Sequence, residues 1–529
     1  MTIQTTKRTL LKTGAAFGLG LGGLLSTEAK TLSKDIRWDK STDVLVVGFG
    51  GAGAAAAITA HDQGRQVLLV EKMPQAGGNT AVSAGGFMIP DNREKALAYL
   101  KGTYSFCAAD MDEPLLNAFV DGTLELGDWL KSLGTDVGMF VYGYAGFKTL
   151  EGADAIKRYR IRGKKGQPRK ASGDCLFDLL KSAVDNRKIP VLLSTRIVEL
   201  IRRGDEVVGA VAEQNGKRFN IRAKQAVILA TGGYENDPES LNNFTMGRDI
   251  GFIGNPGDTG DGLRLAQSMG AKLWHMNAYS AFLGVRYPGY KTSVSASPKG
   301  AGWIWVDQDG KRFSNEKIDG HCQMYVASHL DAVRHCYPRI PCYMIFDQET
   351  LDKGSFGSSL GSGYAINREG HRWTKDMGEE VKIGLVKKAD SIEELARLIQ
   401  VPSDALTSTI AKWNEDMKNG EDTEFGRPIR AKGKQSYAFD APLISAPIAT
   451  GPFYAIALYP TLVNTQGGPR KNVKGQVLNA LNQPIPRLYA AGELGSMWSQ
   501  LYQGACNNAE AMVFGRLAGR SAAAEKPWA

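Results

Sequence analysis

The sequence predicts an α/β fold: a parallel-sheet domain of the doubly wound kind, split in two along the chain by an inserted α+β segment. Three observations predict it. The apolar run Asp43-Val44-Leu45-Val46-Val47 leads into a glycine turn, an alanine-rich stretch over 52–63 and a second apolar run, Gln66-Val67-Leu68-Leu69-Val70. Continuous apolar runs of this length suit strands buried on both faces, and strand–helix–strand is a complete βαβ unit. Two more such runs, at 226–230 and 488–492, end in glycine turns far along the chain. The long middle between them lacks such turns and reads as a separate insertion.

Taken in order, the first thirty residues read as an address. Lys7-Arg8 precedes Thr9-Leu10-Leu11-Lys12, an apolar stretch covers 13–25, and Thr27-Glu28-Ala29 offers a small-residue cleavage site. The pattern resembles a twin-arginine export signal with Lys in place of the first Arg; a general secretory signal or an uncleaved N-terminus are the alternatives. An exported, periplasmic protein is the expectation. The stretch is too short to span a bilayer, and no other segment predicts stable membrane insertion. The domains expected after this signal (1–30) are a first nucleotide-binding part at 40–276, a capping/substrate domain at 277–463 and a second nucleotide-binding part at 464–526. Segments 391–398 and 405–417 read as cap helices.

Composition narrows the function classes. The 62 glycines form no repeat; they cluster in short turns, as where backbone approaches a large ligand. The formal charge is +9, with acidic residues interspersed among the basic ones. The densest basic run, 157–165, reads as a solvated loop or hairpin, with anion docking as the alternative. No nucleic-acid motif accompanies it, so no nucleic-acid partner is expected. The six cysteines form no C-x-x-C pair and the histidines no ligand spacing, which predicts no metal site and no covalent haem.

Gly48-Phe49-Gly50-Gly51-Ala52-Gly53 matches G-x-G-x-x-G between a strand and a helix. Glycine there permits the tight turn and lets a pyrophosphate reach the helix N-terminus. Glu71, ending the next strand, can accept the ribose hydroxyls. Together these predict a Rossmann-like dinucleotide site.

Gly77-Gly78-Asn79-Thr80, Ala84-Gly85-Gly86, Ala230-Thr231-Gly232-Gly233-Tyr234, Thr259-Gly260-Asp261-Gly262 and the run Gly310 to Glu316 follow, with Ala490-Ala491-Gly492-Glu493 and 509–516 near the end. On these motifs, over nearly all of 40–525, the chain resembles the flavoprotein subunits of fumarate reductase and succinate dehydrogenase and the related 3-ketosteroid dehydrogenases. The resemblance implies a Rossmann-like FAD-binding domain, split in sequence, with an inserted α+β capping domain. It implies cofactor contacts at Gly48, Gly50, Gly53, Glu71, Lys72, Gly78, Asn79, Thr80, Gly85, Gly86, Val198, Thr231, Gly233, Asp261, Glu493, Asn507 and Asn508. Members that attach flavin covalently use a His before the loop Thr; Asn79 stands there, which implies non-covalent FAD.

The substrate side departs from fumarate reductase. By register, the family's proton-donating Arg falls on Gly320, its clamping Arg on Tyr502, and its two His on Ala281 and Asn464. Neither Gly nor Tyr replaces a guanidinium that holds a carboxylate. The stretch 501–506 resembles instead the ketosteroid dehydrogenases, where a Tyr hydroxyl and a backbone N–H bind a ketone. Tyr502 and the Cys506 backbone are then the candidates, with Tyr502 as a buried aromatic beside the flavin the alternative. His321 or Tyr325 supplies a proton from the loop at Gly320. Trp303 and Trp305 read as core.

The resulting expectation is an FAD-dependent oxidoreductase acting on CH–CH groups, moving a hydride between flavin N5 and a carbon–carbon bond conjugated to a carbonyl, in a small unsaturated substrate. A separate cytochrome or quinone-linked partner exchanges its electrons. The alternatives are fumarate reductase-like reduction of a carboxylate held by Arg286 or Lys291, and a catalytically silent flavin-binding or electron-transfer protein.

Overall fold

The computed structural model describes residues 36–134, 137–163, 172–318, 320–357, 363–429 and 445–528. The expected export signal lies outside them. From Trp38 onward the chain forms one compact unit.

Its centre is an eight-stranded sheet. Strand β1 (Lys40–Val47) runs through a glycine turn into helix α1 (Gly51–Asp62), which returns to β2 (Val67–Val70). The paired residues of the two strands are apolar and buried, Val44 with Val67 through Val47 with Val70, with side chains covered on both faces. Strand Lys217–Leu229 flanks β1 on its other edge, in parallel, and Pro484–Ala490 joins it from the far end of the chain. The split nucleotide-binding domain is therefore a single sheet closed by sequence-distant strands. Helix α1 packs along the C-terminal helix Cys506–Ala524 because both present small residues: a Cβ on Gly515 would meet the carbonyl of Ala52 at 2.5 Å, and one on Gly519 that of Ala56 at 2.4 Å.

A second, six-stranded sheet forms the cap. Its spine is the long strand Phe453–Thr465, which pairs with Gly251–Phe252, Tyr279–Gly284, Cys342–Asp347 and Val386–Ala389. Gly251–Phe252 joins this sheet from before residue 277. Helices Ile392–Ile399 and Ser403–Asn419 form where the sequence places them. They share a core with Ile304, Ile345 and Ala455. Trp303 and Trp305 are buried in the cap core as expected.

A third sheet has three antiparallel strands, β3 (Phe87–Pro90), β4 (Met139–Tyr144) and β5 (Ile156–Ile161), with β5 in the middle. This is where most of the basic run lies. The described part of that run is a strand, not a solvated loop: Ile156 and Ile161 are buried, and Phe87 stacks on Tyr159, its cross-strand partner.

Candidate functional site

One long cavity runs from the β1 turn, past the N-terminus of the C-terminal helix, to the edge of the cap. At its nucleotide end three glycines serve three purposes. Gly48 has φ +102°, and a Cβ there would lie 2.3 Å from the carbonyl of Ala230. Gly50 is in the wall, with nothing nearer than 3.8 Å, which leaves room for a ligand. Gly53 is outside the wall; its Cβ would strike the Gly48 carbonyl at 1.9 Å, so it is there to let α1 close on the turn.

Glu71 lines the cavity and is already held by two amides, Phe49 N–H and Met73 N–H, each at 2.8 Å. A carboxylate has about four acceptor positions, so two remain for ribose hydroxyls. Burial raises the Glu71 pKa. Lys72 and Asp261 are also in the wall, but they satisfy each other: Lys72 Nζ lies 2.9 Å from Asp261, and Arg196 grips the same carboxylate at 2.7 and 3.0 Å.

In the middle stretch Gly78, Asn79, Thr80, Gly85, Gly86, Thr231 and Glu493 all line the cavity. The Asn79 amide donates to Glu235 and to Glu493, both at 3.0 Å. Glu235, Asp258 and Glu493 bring carboxylate oxygens within 4.8 Å of one another, a cluster the sequence reading did not anticipate. Burial first, then the charge of Glu493, pushes Glu235 and Asp258 well above the usual carboxylate range. Gly233 is outside the wall, packed against Thr465, Glu493 and Glu235. Val198 is also displaced: Thr195, Arg196 and Ile197 form the wall there, and Val198 is only half-buried. Side chains on a strand alternate faces, so a one-residue shift in register exchanges the contact.

At the far end stand Tyr142, Arg158, Arg160, His321, Asn464, Tyr502 and Gly504. A bulge between Val141 and Gly143 re-aims Tyr142, as bulges near binding sites do. Arg158 and Arg160, two apart on β5, share a face. Arg160 lies 4.0 Å from the Tyr142 ring centroid, a cation–π contact. His321 meets Tyr502 edge to face, with centroids 5.0 Å apart, and its Nδ1 pairs with Ser280 Oγ. Its Nε2 lies 3.1 Å from the point where a Cβ on Gly504 would stand. The Tyr502 hydroxyl accepts the Asn507 N–H at 2.8 Å, so its own hydrogen remains to be donated; burial raises its pKa and keeps it protonated.

Three sequence expectations are corrected here. The Cys506 N–H donates to the Gln503 carbonyl at 3.2 Å, and Cys506 is outside the wall, its Sγ 3.8 Å from Met88 Sδ; Gly504 takes the place in the wall. Tyr325 stacks on Tyr279 and donates to its carbonyl at 3.0 Å, which removes it as a proton source. Arg286 and Lys291 line a separate cavity beside the cap. Sequence reasoning missed Tyr142, Arg158 and Arg160; the alternation of Arg with Tyr and Ile over 158–161 was the signal that could have found them.

The wall fits an adenine dinucleotide of the flavin type. Thr231 Oγ1, Asp258 Oδ2 and Asn507 Oδ1 are buried without a hydrogen-bond partner among the described residues. An unmet buried polar atom costs about 1–3 kcal/mol, so a polar ligand completes this surface. Asn507 and Asn508 open the C-terminal helix, and Asn508 is braced on the Gly86 carbonyl at 3.0 Å.

Fold and site define a nucleotide-cofactor protein whose cap sheet closes one end of the cavity. Residues 43–508 match the family model of the FAD binding domain. The chain belongs to that family, and its cofactor is FAD. It is 31% identical to an NADH:fumarate oxidoreductase of Klebsiella pneumoniae over 92% of this chain; it spans about half, 48%, of that protein's length. It is 28% identical to a fumarate reductase (cytochrome) of Shewanella frigidimarina, over 91% of this chain and 77% of the relative. Among solved structures, 3-ketosteroid Δ1-dehydrogenase from Sterolibacterium denitrificans superposes with a TM-score of 0.78 at 23% identity, covering 92% of this chain and all of that one, a likeness of fold.

Proposed function

We propose that the chain is an FAD-dependent oxidoreductase acting on a carbon–carbon bond conjugated to a carbonyl. The observation that carries this reading is that the FAD cavity continues, without a break, into the cluster of Tyr502, His321 and Arg158. Bound FAD supplies the hydride chemistry, as the redox power of such enzymes belongs to the cofactor. Gly50, Glu71, Asn79, Thr231, Asn507 and Asn508 hold it.

The protein's own contribution is orientation, polarisation and a proton. Tyr502 donates its hydroxyl hydrogen to the substrate carbonyl, stabilising the negative charge that grows there as hydride moves to or from the β-carbon. His321, oriented by Ser280, exchanges the proton at the α-carbon through Nε2. Asn79, with its amide spent on two carboxyl groups, supports a flavin held without a covalent bond. The relatives' printed names, fumarate oxidoreductase and fumarate reductase, support the same bond type. A separate cytochrome or quinone-linked partner and an exported, periplasmic location belong to the same reading.

The test is reoxidation of the viologen-reduced protein by a panel of unsaturated acids and ketones, followed by the return of flavin absorbance. Turnover by at least one class, lost in Tyr502→Phe, supports the reading. Equal reoxidation by wild type and variant with every compound favours the silent electron-transfer alternative.

A further inference from the structure

The class of substrate is legible in the charges of the cavity wall, given the hydride-transfer reading above. We propose that Arg158 and Arg160 of β5 bind a substrate carboxylate, and that the substrate is an unsaturated monocarboxylate with an otherwise neutral body.

Besides His321, the basic side chains of the wall are Lys72, Arg196, Arg158 and Arg160. Lys72 and Arg196 are committed to Asp261 at the nucleotide end. Arg158 has no hydrogen bond or ion pair from its side chain among the described residues, and its Nε is buried. Its Nη1 sits 3.3 Å, and His321 Nε2 3.1 Å, from the point where a Cβ on Gly504 would lie. The guanidinium is thus beside the proton-exchanging ring and next to the Tyr502 loop. Glycine at 504 keeps that space open.

An unpaired guanidinium with a buried Nε asks for a planar anion, and a carboxylate meets it bidentately. The acids of the wall do not serve. Glu71 is held by backbone amides, Asp261 by Lys72 and Arg196, and Glu493 by Asn79 and Thr465, while Asp258 belongs to the buried carboxyl cluster with Glu235 and Glu493. Arg160 adds a second positive charge on the same face, steadied on the Tyr142 ring; its pKa is lowered by burial, which a carboxylate beside it would offset.

The neutral remainder follows from the rest of the wall. The positions that would clamp a second carboxylate hold Ala281 and Asn464, and Ile253 and Val463 are the neighbouring lining. Arg158 and Arg160 stand side by side on one strand face, so a second carboxylate at the other end of an extended substrate would meet no cation. The positive charge has moved from Gly320 and Tyr502, where the resembled family carries it, onto β5.

The experiment compares crotonate and cinnamate with their methyl esters and with fumarate, as oxidants of the reduced holoprotein and as ligands that perturb the oxidised flavin spectrum. The expected result is turnover of the acids with kcat/KM roughly 100-fold above the esters and fumarate. Arg158→Met should raise KM and the spectral Kd for the acids by about 10- to 100-fold, with FAD still bound and the acid-over-ester preference lost, and Arg158→Lys should recover part of the loss. Esters reduced as well as acids, or an unchanged KM in Arg158→Met, would overturn the carboxylate proposal and leave hydride transfer standing. Acids that bind in an Arg158-dependent way but never reoxidise the flavin would support the carboxylate site and sink hydride transfer instead.

Discussion

The two ends of the cavity are built on opposite principles. At the nucleotide end the ligand meets backbone: the β1 turn, the opening of α1, and one carboxylate, Glu71, fixed by amides of its own sheet. At the substrate end the ligand meets side chains from β4, β5, the loop at His321, the cap strand at Asn464 and the loop at Tyr502. A backbone site tolerates almost no change of shape but little depends on side-chain identity. A side-chain site can be rewired by moving one charge to another element while the fold stays as it is. At the substrate end the positive charge stands on β5, at Arg158 and Arg160, and not at Gly320 or Tyr502.

The comparison breaks most visibly at Gly53. Gly53→Val should abolish the soluble, yellow protein, because even the first carbon of the side chain would lie 1.9 Å from a backbone carbonyl that has nowhere to go. Gly50→Ala sharpens the point: its nearest contacts lie at 3.8 Å, so the variant should keep its melting temperature and lose FAD affinity. If both behaved alike, the division between packing glycine and ligand glycine would be wrong. At the other end, Tyr502→Phe should retain full flavin content while kcat falls by about 10²-fold, the cost of removing one donor to a developing negative charge.

Asn79→Ala is expected to act between the two ends. It strips the amide that bridges Glu235 and Glu493, for about 1–3 kcal/mol, read as a lower melting temperature and weaker FAD retention. The smallest effect concerns Lys317, just ahead of His321, whose ammonium lies over the Trp303 ring at 4.4 Å. Burial first, then the charge of Arg427, lowers its pKa to about 7 from an ordinary 10.5. Between those values the unfolded chain binds more protons than the folded one, so stability rises with pH across the window, and the burial cost is complete below pH 7. Lys317→Met should therefore raise the melting temperature by about 1–3 °C at pH 6 and by less at pH 10. A larger gain at pH 10 than at pH 6 would reverse the sign and refute the assignment.

The sequence by itself determined the βαβ opening, the strands that close the sheet at 226–230 and 488–492, the cap helices, the FAD family and most of the residues that line the nucleotide end of the cavity. These are local: a turn's glycines and the carboxylate after the next strand occupy fixed offsets because the backbone geometry allows no others. Only the tertiary structure decided which side chains line the far end of the cavity. Arg158 and Arg160 were visible as an alternating basic segment, but whether that face met solvent or ligand depended on pairing with Phe87–Pro90 and on the bulge at Tyr142. The same dependence on strand register put Ile197 in the wall where Val198 was expected. A strand's faces alternate with every residue, so their assignment rests on pairing between strands separated along the chain, as Phe87 is from Tyr159, and no local pattern encodes it.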